Sequence, residues 1–287
     1  MQTTTVVTLP MGDAHLTLSA CSVVGSVRSV NEDSFLAQTP LFVVADGMGG
    51  HERGDRASQT VISVLLDQVP ADTVPSPAQV LAAITSANEA VRELTADDGR
   101  RLMSGTTLAG VALVTANDGA STHWMAFNVG DSRIYSWDGR RLEQLSVDHS
   151  AVQELIDAGL LTDAAAREHP DRNIITRAVG ASDLVDADVW LMPVGGSQTF
   201  LICSDGLTKE LDDTEIAHLL AEHGSDGHAL SIAEALVTAA NDAGGKDNIT
   251  VVVLDSQMEG TSSDNESTNE RSLTARALLE DTRPRAF

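Results

Sequence analysis

Apolar and polar positions divide the chain into stretches of distinct period. Leu16 to Val24 alternates, with Leu16, Leu18 and Ala20 set against Thr17, Ser19 and Cys21, which is the pattern of a half-buried strand. Leu41-Phe42-Val43-Val44-Ala45 is instead a continuous apolar run, as expected of a strand covered on both faces. It stops abruptly at Asp46-Gly47-Met48-Gly49-Gly50-His51. Arg56 to Val69 predicts a helix with Ala57, Val61, Val64 and Leu65 on one face. Ser76-Pro77 opens a second helix, along which Val80, Ile84, Ala87, Val91 and Leu94 recur at helical spacing. The period then changes to two. His123, Met125, Phe127 and Val129 share a strand face, and Asp138-Gly139 suits a hairpin turn. Further strands are predicted at Leu184–Leu191, Thr199–Cys203 and Ile249–Leu254, and helices at Glu215–Glu222 and Leu230–Ala240. Residues 1–12 carry only a weak polar pattern.

Two stretches stand apart. Residues 148–180 hold two short helical patterns and then His169-Pro170-Asp171-Arg172-Asn173, which reads as an insertion lying over the sheets. From Ser256 onward Ser, Thr, Glu, Asp and Asn dominate, predicting a disordered tail in which 273–279 could form a short helix against a partner. The expected organisation is one folded unit over 1–255 and a polar tail over 256–287. Strands cluster apart from helices, so the fold class is α+β and layered, not doubly wound.

Composition narrows the function. A chain of 287 residues with 42% hydrophobic and 3% aromatic content builds its core mainly from Ala, Val, Leu and Ile. The net charge of -24 excludes a nucleic-acid partner, whose backbone demands clustered Lys and Arg. Two cysteines, Cys21 and Cys203, form no disulfide framework and suit a reducing compartment. Leu18-Ser19-Ala20-Cys21 superficially resembles a lipoprotein cleavage site, but the stretch before it has Asp13 and no Lys or Arg. No apolar run is long enough for a membrane span. The expected location is cytoplasmic.

Candidate chemistry lies at the strand ends. Asp46 closes one apolar strand, and Ser204-Asp205-Gly206 closes another. Asp131 sits between two strands in Gly130-Asp131-Ser132, and Asp247-Asn248 opens the last strand. Carboxylates gathered at one sheet edge repel one another unless cations bind. Oxygen donors without zinc-like Cys/His spacing point to Mg2+ or Mn2+. Asp-Gly is also a common turn pair, and each aspartate taken alone could be no more than that. Gly244-Gly245-Lys246 is not a nucleotide-binding loop, because Asp247 stands where Ser or Thr is required.

Taken together, Arg28-x-x-Asn31-Glu32-Asp33, Val44-Ala45-Asp46-Gly47-Met48-Gly49-Gly50-His51, Ser104-Gly105-Thr106-Thr107, Val129-Gly130-Asp131-Ser132-Arg133, Ser204-Asp205-Gly206 and Asp247-Asn248 resemble the ordered motifs of the protein phosphatase 2C family. Within it they are similar to the bacterial metal-dependent Ser/Thr phosphatases. The resemblance runs from about Leu16 to Leu254. It implies a four-layer α-β-β-α sandwich with two central antiparallel sheets and a binuclear Mn2+ or Mg2+ centre at one end. Asp46 would bridge both ions, Gly47 would add its carbonyl, and Asp205 and Asp247 would complete the first site. Glu32 and Asp33 would serve the second site through waters, and Asp131 with Asp205 matches a third ion. Arg28 would grip the substrate phosphate.

The resemblance also assigns 148–180 to a flap that selects substrate. His51 is the nearest candidate to protonate the leaving hydroxyl or to position substrate. Some members carry histidine directly after Asp-Gly, where this chain has Met48. The partners implied are phosphorylated proteins, Ser/Thr kinases and their substrates, met by a monomer. A catalytically silent, metal- or phosphopeptide-binding relative is the competing reading. It would be favoured by loss of Arg28 or of a metal aspartate, all of which are present.

Overall fold

The computed structural model describes residues 2–9, 12–49, 53–71, 73–96, 104–115, 121–223 and 230–258. In chain order the elements begin with β1 (Gln2–Leu9), β2 (Gly12–Val23), β3 (Asp33–Gln38), β4 (Leu41–Met48), α1 (Gly54–Gln68) and α2 (Pro77–Ala96). Next come β5 (Gly105–Thr106), β6 (Leu108–Thr115), β7 (Thr122–Val129), β8 (Arg133–Trp137), β9 (Leu142–Gln144), α3 (Ala151–Asp157) and α4 (Asp163–Ala166). The chain continues with β10 (Asp188–Pro193), β11 (Ser197–Cys203), α5 (Asp205–Thr208), α6 (Asp213–His223), α7 (Ile232–Ala243) and β12 (Ile249–Met258).

Two antiparallel sheets result. One has the order β1-β2-β12-β11-β8-β9; the other runs β10-β7-β6-β4-β3, with β5 paired to β4. The continuous apolar runs now have a physical cause. Along β4, Leu41 and Val43 face the α1–α2 layer, while Phe42 and Val44 face the opposite sheet. Along β12, Val251 and Val253 face the α6–α7 layer, and Val252 and Leu254 face the inter-sheet core. Both faces of these central strands are covered, so the polar half of the usual alternation is missing. The result is the expected sandwich, with a helix layer outside each sheet. Phe42, Trp124 and Phe200 tie the sheets together, with ring centroids 6.3 and 5.5 Å apart.

Several expectations shift. Residues 2–9 form a strand, β1, paired with β2. Its weak pattern follows from its place at the sheet edge, where mostly exposed threonines need no alternation. The last strand continues past Leu254 to Met258, because Asp255–Met258 keep their pairing with β2. Residues 259–287, and with them the tail and the short helix at 273–279, lie outside the described residues. Among the described residues no helix is long and apolar enough to cross a membrane.

Residues 148–180 do carry two short helices. Ser150 caps α3 by accepting from the Gln153 N–H, and Thr162 caps α4 by accepting from the Ala165 N–H. The segment is pinned at both ends by the bridges Ser150–Ile175 and Thr106–Val179.

Candidate metal centre

Strand register brings the acidic residues together. Asp33 at the start of β3 is the direct cross-strand partner of Asp46 near the end of β4. Asp33 Oδ2 accepts from Ser204 Oγ at 2.8 Å and from Thr250 Oγ1 at 2.7 Å. Thr250 lies on β12 and Ser204 directly follows β11, both of the other sheet, so Asp33 is bonded across the sandwich. Asn248 reinforces the joint: its Oδ1 accepts from the Glu32 N–H at 2.8 Å, and its Nδ2 donates to the carbonyls of Val24 and Val30.

The Asp46 backbone is clamped by neighbouring threonines. Its N–H donates to Thr107 Oγ1 at 2.9 Å, and its carbonyl accepts from Thr106 Oγ1 at 2.9 Å. Thr107 Oγ1 also lies 2.7 Å from Ser132 Oγ, which fixes the turn carrying Asp131 beside Asp46. Gly47 has no room for a side chain. A Cβ there would stand 2.0 Å from the Gly54 carbonyl oxygen and 2.6 Å from that of Glu32.

Burial and mutual repulsion govern the carboxyls. Burial pushes Asp33 up to about 7 despite the Thr250 and Ser204 hydroxyls, and Asp205 and Asp247 add repulsion. Burial raises Asp131 to about 7 as well, helped by Asp205 and Asp148. Asp46 rises well above the ordinary range, through burial and then through Asp33, Asp205 and Asp131. For Asp205, burial outweighs the attraction of Lys209 and the group is raised. Asp247 goes the other way. Burial alone would raise it, but Lys209, the Asn248 N–H and Arg28 together hold it below the ordinary value.

Two cations stand on this side of the cluster. Arg28 forks onto Asp247, with Nε 2.9 Å from Oδ1 and Nη2 2.9 Å from Oδ2. Lys209 Nζ lies 2.5 Å from Asp205 Oδ2 and 3.1 Å from Asp247 Oδ2.

The donor set suits a hard cation in one respect and must rearrange in another. Eight buried side-chain polar atoms lack a hydrogen-bond partner among the described residues, and four of them are carboxylate oxygens here: Glu32 Oε1, Asp33 Oδ1, Asp131 Oδ1 and Asp205 Oδ1. Buried oxygens of this kind are costly unless something binds them. Yet among the described residues no three Asp, Glu, His or Cys side chains already converge to hold one ion. Asp205 and Asp247 are turned instead onto Lys209 and Arg28. Oxygen-only chemistry and orphaned atoms fit Mg2+ or Mn2+.

The structure therefore gathers Arg28, Glu32, Asp33, Asp46, Gly47, Asp131, Asp205 and Asp247 at one end of the sandwich. His51 lies outside the described residues. Sequence reasoning assigned no role to Lys209, Ser204, Thr250 or Thr107. Thr107 and Ser204 stand within the quoted motifs, and Lys209 follows Asp205 by four residues, the spacing of a helical ion pair. A groove of about 760 Å³ is lined by Asp131, Asp205, Lys209 and Asp247 of the site and by Val152, Ile156 and Arg172 of the 148–180 segment.

The protein phosphatase 2C family model matches residues 26–248. The serine/threonine phosphatase stp of Listeria monocytogenes is 33% identical over 241 residues, covering 80% of this chain and 92% of that protein. The protein phosphatase PhpP of Streptococcus pneumoniae is 35% identical over 246 residues, covering 83% and 96%. Among solved structures, the Mycobacterium tuberculosis serine/threonine phosphatase PstP superposes with a TM-score of 0.72 at 34% identity, covering 84% of this chain and 98% of that one. A PstP catalytic domain in complex with two manganese ions gives a TM-score of 0.72 at 32% identity, covering 85% and 99%. The chain belongs to the protein phosphatase 2C family. Its activity follows from the same relatives: it is a protein-serine/threonine phosphatase.

Proposed function

We propose that the chain hydrolyses phosphoserine and phosphothreonine in proteins by metal-assisted attack of water, and so reverses Ser/Thr kinase signalling. The observation that carries this reading is the set of four orphaned carboxylate oxygens, on Glu32, Asp33, Asp131 and Asp205. Asp46 and the Gly47 carbonyl would hold Mn2+ or Mg2+, with Asp205 and Asp247 completing the first site. Asp46, with Glu32 and Asp33 acting through waters, would hold the second, and Asp131 with Asp205 a third. Two such cations would lower the pKa of water and stabilise both oxygens of an in-line displacement.

The remaining work belongs to the chain. Arg28 offers a planar fork that already engages a carboxylate and matches a phosphate equally well. Asp33, held by two hydroxyls, keeps an oxygen free to orient water. His51 is assigned to protonating the leaving hydroxyl or positioning substrate. The groove beneath 148–180 would take the peptide on either side of the phosphorylated residue. In this reading the protein acts as a cytoplasmic monomer on kinases and their substrates, and residues 148–180 select among them.

The test is phosphate release from a phosphothreonine peptide, with and without Mn2+, for the wild type and Asp205→Ala. Turnover that needs Mn2+ and collapses in the variant is expected. Mn2+-independent turnover, or turnover that survives in Asp205→Ala, would overturn the metal assignment.

A further inference from the structure

Lys209 does something that an ordinary helical ion pair does not. Its Nζ touches Asp205, four residues earlier, and also Asp247, which comes from a different element at the mouth of β12. These are the two carboxylates that, with Asp46, make the first cation site in the function proposed above, and this inference rests on that reading. The ammonium lies against one oxygen of each carboxylate. Arg28 also takes both oxygens of Asp247, while Asp205 Oδ1 has no hydrogen-bond partner among the described residues. The lysine side chain is 36% exposed and borders the open groove, so it has a path along which to swing into solvent.

We infer that Lys209 is a built-in competitor for the first cation site: its ammonium and a divalent ion claim the same face of the Asp205–Asp247 pair, so one must leave for the other to bind. Both are cations and both seek the same oxygens, so simultaneous occupancy would set like charges side by side. The lysine therefore weakens ion binding. It also shields the carboxylates from one another when it holds them, so the domain does not depend on the ion to stay folded. Asp205 and Asp247 enter this balance together, which couples ion loading to the position of a single side chain on the groove wall.

The experiment is titration calorimetry of the full chain with Mn2+ at fixed pH and ionic strength, for the wild type, Lys209→Met, Lys209→Gln, Lys209→Arg and Asp205→Ala. Lys209→Met and Lys209→Gln are expected to bind Mn2+ about tenfold more tightly, within the ~5–150-fold range usual for coupled sites. Lys209→Arg should stay near the wild type. In melting experiments the metal-free Lys209→Met protein should unfold at a lower temperature than the wild type and gain more from Mn2+. Affinity equal to or weaker than wild type in both neutral variants would overturn the proposal while leaving the metal site standing. Absence of Mn2+ binding in the wild type and every variant would overturn the metal reading, and this proposal with it. Should Lys209→Met fail to fold, Lys209→Gln, which keeps a polar head, carries the comparison.

Discussion

The ion pair at the base of the 148–180 segment provides a stability test that is separate from ion binding. Arg133 on β8 donates from Nε to Asp148 Oδ1 and Oδ2 at 2.9 and 3.0 Å, and from Nη2 to Oδ2 at 2.7 Å. Gln144 Nε2 adds a further bond to Asp148 Oδ1 at 2.9 Å, and Arg133 Nη1 also reaches the buried Tyr135 hydroxyl. The Asp148 side chain is 10% exposed and that of Arg133 27%. Asp148→Ala strands the guanidinium beside a phenol. Breaking a buried pair costs ~3–5 kcal/mol, and the partial access of water to Arg133 places the expected loss near the lower bound, about 3 kcal/mol. At ~2–4 °C per kcal/mol for a domain of this size, the melting temperature should fall by about 6–12 °C. Urea unfolding followed by circular dichroism in EDTA measures the loss without a contribution from bound ions. Because the penalty comes from the orphaned charge, the double variant Arg133→Met/Asp148→Ala should be more stable than Asp148→Ala alone. A loss below about 1 kcal/mol, well under the range for a broken buried pair, would refute the reasoning. So would a double variant no better than the single one.

Two further outcomes follow from the same kind of accounting. His149 Nδ1 accepts from the Gly130 N–H at 3.1 Å, so Nε2 carries the proton and faces Asp188 Oδ2 at 3.3 Å. The hydrogen bond from His149, opposed by burial and assisted by Arg177, holds the Asp188 carboxyl below its ordinary range. A depressed folded pKa means stability that is present above the unfolded value of ~3.9 and lost as pH falls through the folded one. Asp188→Asn should therefore be less stable than wild type at pH 7, with the gap closing below about pH 4; a gap that stays constant across a urea series from pH 7 to pH 3 would contradict this. In the core, a Cβ at Gly110 would stand 2.4 Å from Phe127 Cζ. Gly110→Ala should cost about 1–3 kcal/mol by overpacking, and Phe127→Leu in the same chain should recover part of it in thermal melts.

Legibility in the sequence followed the number of faces each residue had to satisfy. The β4 run was readable because both of its faces are covered, and the acidic residues at the strand ends were readable because each closes or opens an apolar run. The 148–180 insertion betrayed itself by two short helical patterns with no strand between them. What escaped was non-local or solvated. β1 is an exposed edge strand whose threonines answer to backbone pairing alone, and β12 outruns its apolar pattern because register with β2 holds Asp255–Met258 in place. The bonds from Ser204 and Thr250 to Asp33 join positions 171 and 217 residues apart, a relation no local pattern encodes. Lys209 could have been paired with Asp205 by spacing, but not with Asp247.

The acidic cluster is also a seam. Asp33 and Asp46 stand on one sheet, Asp205 and Asp247 at strand ends of the other, and the Asp33 hydroxyl bonds stitch across the gap. A site divided in this way acts as a gauge of alignment between the two layers. A small slip of one sheet past the other would pull its halves out of step long before either sheet lost its own ladder. Substitutions in the interlayer core, at Trp124 or Phe200, should thus register at the site as readily as changes made beside it.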